Sequence, residues 1–421
     1  MTSQRIAVIG GGLAGITTAY ELVRRGFETV VYEAREDVAR ETSYANGAML
    51  TPAMSDPWNA PGVYKHLAAS LFNSRSPMKL RLGTVPSMFT WGLRFLRNST
   101  AARHDAATQA SYRLARHSLE CTRALREQLG LQYDAAARGA LKLFHSQAGM
   151  QGPLAMARRL EPLGLRFEVL DRDATVQAEP ELEAIRDRIS GALYFPDDES
   201  GDALKFCEAL TQVIVKSGGI VRTGTCVSSI AVERGKVIGV VIDQELHQAC
   251  AVVVAAGNAT PQLVRRLGIT LPIQPAKGYT LTFDISHLER RPLLSVIDDA
   301  LHAAVVPLNA RLRVAGTAEF AGMDKTLHAE RVENLLALLG DIYPHIAAAI
   351  DRRHADVWAA LRPMSADGLP FIGPTRVPGL FVNAGHGHLG WTLAAGSANL
   401  LADLISRQEP AVDPGPYRAT R

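Results

Sequence analysis

At 421 residues the chain exceeds one ordinary core, so two domains, or three, are expected. Apolar residues make up 47%, charged residues 21% and the net charge is +3, which excludes a disordered or fibrous chain and supplies no global attraction to nucleic acid. The four cysteines, Cys121, Cys207, Cys226 and Cys250, form no CxxC pair and suit buried thiols in a reducing cytoplasm better than disulfides or a zinc site.

The first predicted element is RIAVI at 5–9, a β-branched run of the kind buried in a parallel sheet. Glycines at 10, 11, 12 and 15 interrupt the apolar stretch and no small-residue cleavage pattern follows, so it reads as a strand and not as a signal peptide. GGGLAG gives Gly10-x-Gly12-x-x-Gly15, with Leu13 and Ala14 opening a helix that Gly26 ends. A second strand, ETVVYEA, reaches Glu33 and Ala34. Gly10 allows a tight turn, Gly12 lets backbone N–H groups approach a pyrophosphate, and Gly15 lets the helix lie close on the strand. Glu33 can accept both ribose hydroxyls of a dinucleotide and would repel a 2′-phosphate, which disfavours NADP. The motif alone does not separate NAD from FAD.

The next segment, AREDVARETSYANGAMLTP, turns small and polar. Arg35, Thr42, Ser43, Asn46, Gly47, Ala48, Met49 and Leu50 suit a strip lying along an extended cofactor, with an ordinary polar connection as the alternative. From Pro57 to His104 there is no Asp or Glu but seven Lys or Arg, interleaved with aromatics as in PSMFTWGLRFLRNS. That pattern suits an anionic bilayer surface; the alternative is a helical hairpin packed on its own domain with its basic residues solvated.

Helices are expected at 101–129 and 328–350, and strands at KGYTLTFDI, HAAVVPL and RLRVAGTAEF, which suggest an antiparallel sheet. Between them a second α/β passage runs through the helix DALKFCEALTQVIVK, strands with a turn at Arg234-Gly235, and the buried strand QACAVVVAAG. Val227 would sit beside an adenine, and Ala256 and Gly257 would return the chain to the cofactor. Near the C-terminus Gly385-His386-Gly387-His388-Leu389-Gly390-Trp391-Thr392 leads into an apolar helix starting near Gly390–Thr392. Its free N–H groups form a second site for negative charge. A metal reading of His386 and His388 lacks any nearby Cys or carboxylate ligand, and no metal is expected.

GGGLAG, Glu33, ETSYANGAM, VVVAAGNATP, KGYTLTF, LRPMSADGLPFIGP and GHGHLGWT together resemble the D-amino-acid-oxidase-like FAD oxidoreductases, and the last three blocks with ETSYAN look most like the bacterial D-amino acid dehydrogenases of the small-subunit type. The resemblance spans nearly the whole chain. It implies an α/β fold in which a Rossmann-like FAD-binding domain (1–90, 196–271 and 356–421) is interleaved with an antiparallel-sheet substrate domain (91–195 and 272–355). It implies that the N-terminal loop holds the pyrophosphate while the C-terminal loop, Gly385 and His388–Thr392, closes over the flavin ring. There the helix N-terminus would face the N1–C2=O edge and stabilise reduced flavin.

The same resemblance places a carboxylate-binding arginine at Arg362, before Pro363, which is expected to end its strand or helix; a structural arginine capping the turn at Asp367-Gly368 is the alternative. Tyr279 is a candidate for the same carboxylate or for core packing. Two departures stand out: His388 replaces a small polar residue, and Pro307 replaces an arginine, leaving His302 as the polar group of its strand. The implied reaction is hydride transfer from an amino acid Cα to flavin N5, with imine hydrolysis to a keto acid and ammonia, and the departures point toward a bulkier or secondary amine. The expected acceptor is a quinone or another electron carrier, reached by peripheral contact with the inner membrane from the cytoplasm. A flavin-holding subunit without turnover is the alternative from another class.

Overall fold

The computed structural model describes residues 5–64, 78–300 and 303–421. The first of its two large sheets has the strand order Phe371–Pro374, Leu380–Ala384, Ala251–Val254, Arg5–Ile9, Glu28–Tyr32, Ile220–Arg222. Its neighbours run parallel except Phe371–Pro374, which is antiparallel to Leu380–Ala384. Strand side chains alternate between faces. Ile6, Val8, Val31 and Val253 share a core with the helices Leu13–Arg24, Ala203–Lys216 and Gly390–Ser406. Ala7, Ile9, Val30, Val252 and Val254 share another with Ile230, Val237 and Val240 of a three-stranded antiparallel meander, Ser229–Glu233, Lys236–Ile242 and Glu245–Gln248. Burial on both faces explains why these strands read as unbroken apolar runs.

The second sheet runs Asp356–Ser365, Ile273–Asp284, Arg311–Phe320, Ala303–Leu308, Ser295–Asp298, Ala140–Phe144, Gly191–Phe195, Glu168–Leu170, with Met78–Leu80 added to Arg311–Phe320. It is mostly antiparallel. Leu281, Phe283, Val305, Leu312 and Val314 pack against Leu335, Leu339 and Ile346 of the helices Ala329–Ile342 and Pro344–Ala349. The single helix expected over 328–350 is therefore two, parted where Pro344 has no N–H to continue the first. Asp356–Ser365 pairs along its whole length with Ile273–Asp284, so it lies in the second sheet although the expected division assigns it to the first unit. Pro363 does not end that strand. An edge strand needs partners on one side only, so the missing N–H is tolerated.

The helices that open and close this arrangement are neighbours. The Thr17 hydroxyl donates to the Ala394 carbonyl at 3.2 Å, and Arg25 forms an ion pair with Asp403. The mixed α/β architecture, a Rossmann-like parallel sheet with an antiparallel second sheet, is the one the sequence implies. Among the described residues no helix is long and apolar enough to cross a membrane.

Candidate active site

A cavity of about 1260 Å³ lies between the two sheets. One end is made by the N-terminal loop. Gly10 has φ +110°, and a Cβ there would stand 2.6 Å from the Ala255 carbonyl oxygen, so only glycine fits. Gly12 precedes the helix Leu13–Arg24, whose first turn carries no acidic side chain to compete with a bound anion. Glu33 is fixed by backbone donors: Oε2 accepts the Gly11 N–H at 2.6 Å and Oε1 the Arg35 N–H at 2.8 Å. Gly10, Gly12, Leu13, Ala14, Glu33, Ala34 and Arg35 all line the cavity. Gly15 does not. Its Cβ would fall 1.8 Å from the Gly10 carbonyl oxygen, so its place is the packing of helix on loop.

The segment after Glu33 stitches the two sheets together. Ser43 Oγ accepts the Leu13 N–H at 3.1 Å, Thr42 donates to the Leu361 carbonyl at 2.8 Å, and Thr280 donates to the Ala45 carbonyl at 2.9 Å. Thr42, Ser43, Asn46, Gly47, Ala48 and Met49 line the cavity, whereas Leu50 is fully buried in the core beside the first helix. Val227, Ala256 and Gly257 also line it.

The opposite end holds the C-terminal loop. A short 3₁₀ turn, Gly387–Leu389, feeds the helix Gly390–Ser406, which likewise has no acid in its first turn and no side-chain cap. His388, Leu389, Gly390, Trp391 and Thr392 line the cavity; Gly385 packs on Phe371 and Ile273 instead. Thr392 Oγ1 accepts the Thr51 N–H at 3.0 Å, and the Thr51 hydroxyl in turn donates to Asp198. Asp198 is fully enclosed, and burial pushes its carboxyl up to about 7. Two helix N-termini thus open on one cavity, with the Glu33 carboxylate beside the first. That donor set fits a flavin dinucleotide, whose two ends need just such separate grips.

Arg362 stands in the wall near the second end. Its Nη1 donates to the Thr317 carbonyl at 3.0 Å, and the guanidinium lies 5.7 Å from the centre of the Trp58 ring. It is flat against Gly278, where a Cβ would come within 2.3 Å of Cζ and both terminal nitrogens. Among the described residues no carboxylate reaches it at ion-pair distance. Its depth in the protein pulls it down to about 10, so it is still a cation at neutral pH. A desolvated cation without a counter-ion favours an anionic ligand. His388 stacks on the other partner, Trp58, with ring centres 5.3 Å apart. Burial lowers its pKa to about 4, against the opposing pull of Asp56 and the Met54 carbonyl and with help from Arg362. His386 also lines the cavity but has its Nε2 3.1 Å from Ser397 Oγ, and burial brings it also to about 4. The two imidazoles thus have different partners, and among the described residues no three His, Cys, Asp or Glu groups are placed to hold a metal.

A match to the FAD dependent oxidoreductase (DAO) family covers residues 5–404. The chain belongs to that family. Known proteins resemble it over nearly their full length. A D-amino acid dehydrogenase of Sinorhizobium medicae is 39% identical over 409 residues, 97% of each chain. Another, of Cereibacter sphaeroides, is 40% identical over 412 residues, 97% of this chain and 93% of that protein. Among solved structures, the glycine oxidase of Geobacillus kaustophilus superposes with a TM-score of 0.76 at 24% identity, covering 99% of both chains.

For this FAD dependent oxidoreductase, the geometry corrects an expected substrate-binding residue as well as Gly15, Leu50 and Gly385. Tyr279 is fully buried on the far face of its strand, with its hydroxyl 3.1 Å from Glu319 Oε2, while Gly278 and Thr280 face the cavity. Strand alternation is the reason, and the period-two rule applied to KGYT carries that signal. His302 lies outside the described residues. Pro307 is not among the cavity-lining residues; Ala303 and Ala304 of its strand are. Trp58, Asp56, Thr317 and Gly278 line the cavity without having been expected there. Trp58 could have been found as the one large aromatic in the turn-rich run SDPWNAPG.

Proposed function

We propose that this FAD-dependent enzyme oxidises the Cα–N bond of a D-amino acid, and the observation that carries the reading is Arg362, a cation in the cavity wall with no acidic partner among the described residues. The D-amino acid dehydrogenases at 39–40% identity support the same substrate class. Bound FAD supplies the hydride acceptor. The residues of the chain do the rest. Arg362, held by Thr317 and Gly278 with part of its donor fork free, takes the substrate carboxylate in a bidentate grip and so fixes Cα. Neutral His388 adds no second positive charge beside it; with Nε2 3.4 Å from the Met54 carbonyl, Nδ1 is left as an acceptor for a substrate N–H. Trp58 shields the clamp from water. The N-terminus of Gly390–Ser406 offers positive potential where electrons arrive.

A second reading, oxidation of a secondary or N-substituted amino acid, draws on the small side chains in the wall: Ala303, Ala304, Ala315 and Ala318 leave room for a bulky substituent. The deciding experiment is anaerobic bleaching of the yellow protein by D- and L-amino acids, D-proline and N-methyl amino acids. Bleaching by primary D-amino acids supports the first reading, bleaching by secondary amines alone supports the second, and no bleaching by any of them refutes both. The acceptor that follows from a dehydrogenase reading is a quinone, with the protein on the cytoplasmic face of the inner membrane.

A further inference from the structure

The helix Val85–Arg97 has two apolar faces. The inner one, with Met88, Trp91 and Phe95, packs against Val63, Phe320 and Met364, and the Trp91 indole N–H donates to the Met364 carbonyl at 3.0 Å. Val63 and Trp58, which join this cluster, also wall the cavity. The outer face carries Phe89, Leu93 and Leu96, spaced by four and three residues so that they form one stripe, with exposures of 62%, 54% and 45%. Arg94, Arg97 and Arg103 are exposed beside it. None of the three has an acidic partner among the described residues, and the sequence offers no Asp or Glu between Pro57 and His104.

A water-facing helix does not ordinarily hold three large apolar groups in line, because each leaves apolar surface hydrated. Here the buried inner face fixes the helix, so the stripe cannot turn inward without giving up Trp91 and Phe95. We propose that Val85–Arg97 is a lipid-docking helix that seats the protein on an anionic bilayer, with Phe89, Leu93 and Leu96 at the acyl boundary and the arginines on headgroup phosphates. Charge selects this occupant. A rim of arginines with no acidic partner among the described residues, around an apolar stripe, matches an interface that is anionic outside and hydrocarbon inside. Nucleic acid would use the cations and leave the stripe wet. The inference rests on the proposed quinone acceptor only for its purpose, since such a surface is where a quinone dissolves.

The test is co-sedimentation of the FAD-loaded protein with phosphatidylglycerol vesicles and with pure phosphatidylcholine vesicles, over a range of salt. Binding is expected to the anionic vesicles alone and to weaken with salt. Both the F89S/L93S/L96S variant and the R94E/R97E variant should bind about tenfold or more weakly. Flavin content and turnover with a soluble dye acceptor should stay unchanged, which separates lost docking from lost folding. Wild-type protein that ignores anionic vesicles overturns the inference, as does a stripe variant that still binds them, or a stripe that proves to mediate self-association. Active enzyme that does not bind refutes docking alone, whereas bound protein that bleaches with no amine refutes the function and leaves the docking standing.

Discussion

The two ends of the cavity are built by opposite means. At the dinucleotide end, six consecutive residues, 10–15, set the geometry through backbone: glycines where no Cβ fits and N–H groups at a helix start. At the other end, Arg362, Trp58, Gly278, Thr317 and His388 come from segments scattered over the chain, and their positions depend on one another. The first is a local device that any sequence carrying it must express. The second exists only once both sheets are assembled.

Substitutions can break this contrast. The largest effect is expected from Gly15→Val, whose Cβ would overlap the Gly10 carbonyl oxygen. Loss of about 3 kcal/mol or more and a colourless product are expected, read by flavin absorbance and thermal unfolding. Arg362→Ala should leave the protein yellow but lower kcat/KM by roughly 10²–10³-fold, and Arg362→Lys should recover little because a point charge lacks the planar fork. Steady-state kinetics checks both, and unchanged kinetics would remove Arg362 from the site. Gly278→Ala tests mutual dependence directly. It adds neither charge nor a hydrogen-bonding group, yet displacing the guanidinium should raise KM by about tenfold while flavin content holds.

The smaller effects sharpen the comparison. His388 ordinarily titrates near 6.5 but is held at about 4 here, so below pH 6.5 the unfolded chain takes up a proton that the folded one refuses. Stability from this group is present above 6.5 and lost as pH falls toward 4. His388→Asn should therefore lose less Tm than the parent between pH 7 and pH 5; parallel curves would deny the shift. Tyr279→Phe should change KM by less than about twofold while costing roughly 1 kcal/mol of stability from the lost bond to Glu319. A large KM change there would return Tyr279 to the site.

The same contrast explains what the sequence could reveal. GGGLAG with its flanking strand and acid, the helix Ala101–Leu129 and the helix starting at Gly390 are local patterns, and each lies where periodicity and glycine placement put it. The roles of Pro363 and Tyr279 follow from sheet context, which residue type alone leaves open: an edge position forgives proline, and the alternation of Gly278 and Thr280 turns the tyrosine into the core, the second of the two places open to it. Gly278 and Thr317 were illegible for a deeper reason. One offers an absent side chain and the other a carbonyl, and neither is written in residue type.

The contact between Leu13–Arg24 and Gly390–Ser406 also bears on the order of events during synthesis. When the first helix leaves the ribosome, its neighbour is still more than three hundred codons away, so the loop beneath it must wait with its grip half made. Sequence-distant contacts of this kind are slow to form. Nascent chains arrested short of Gly390 should therefore retain no flavin, and capture of the coenzyme becomes one of the last steps of maturation.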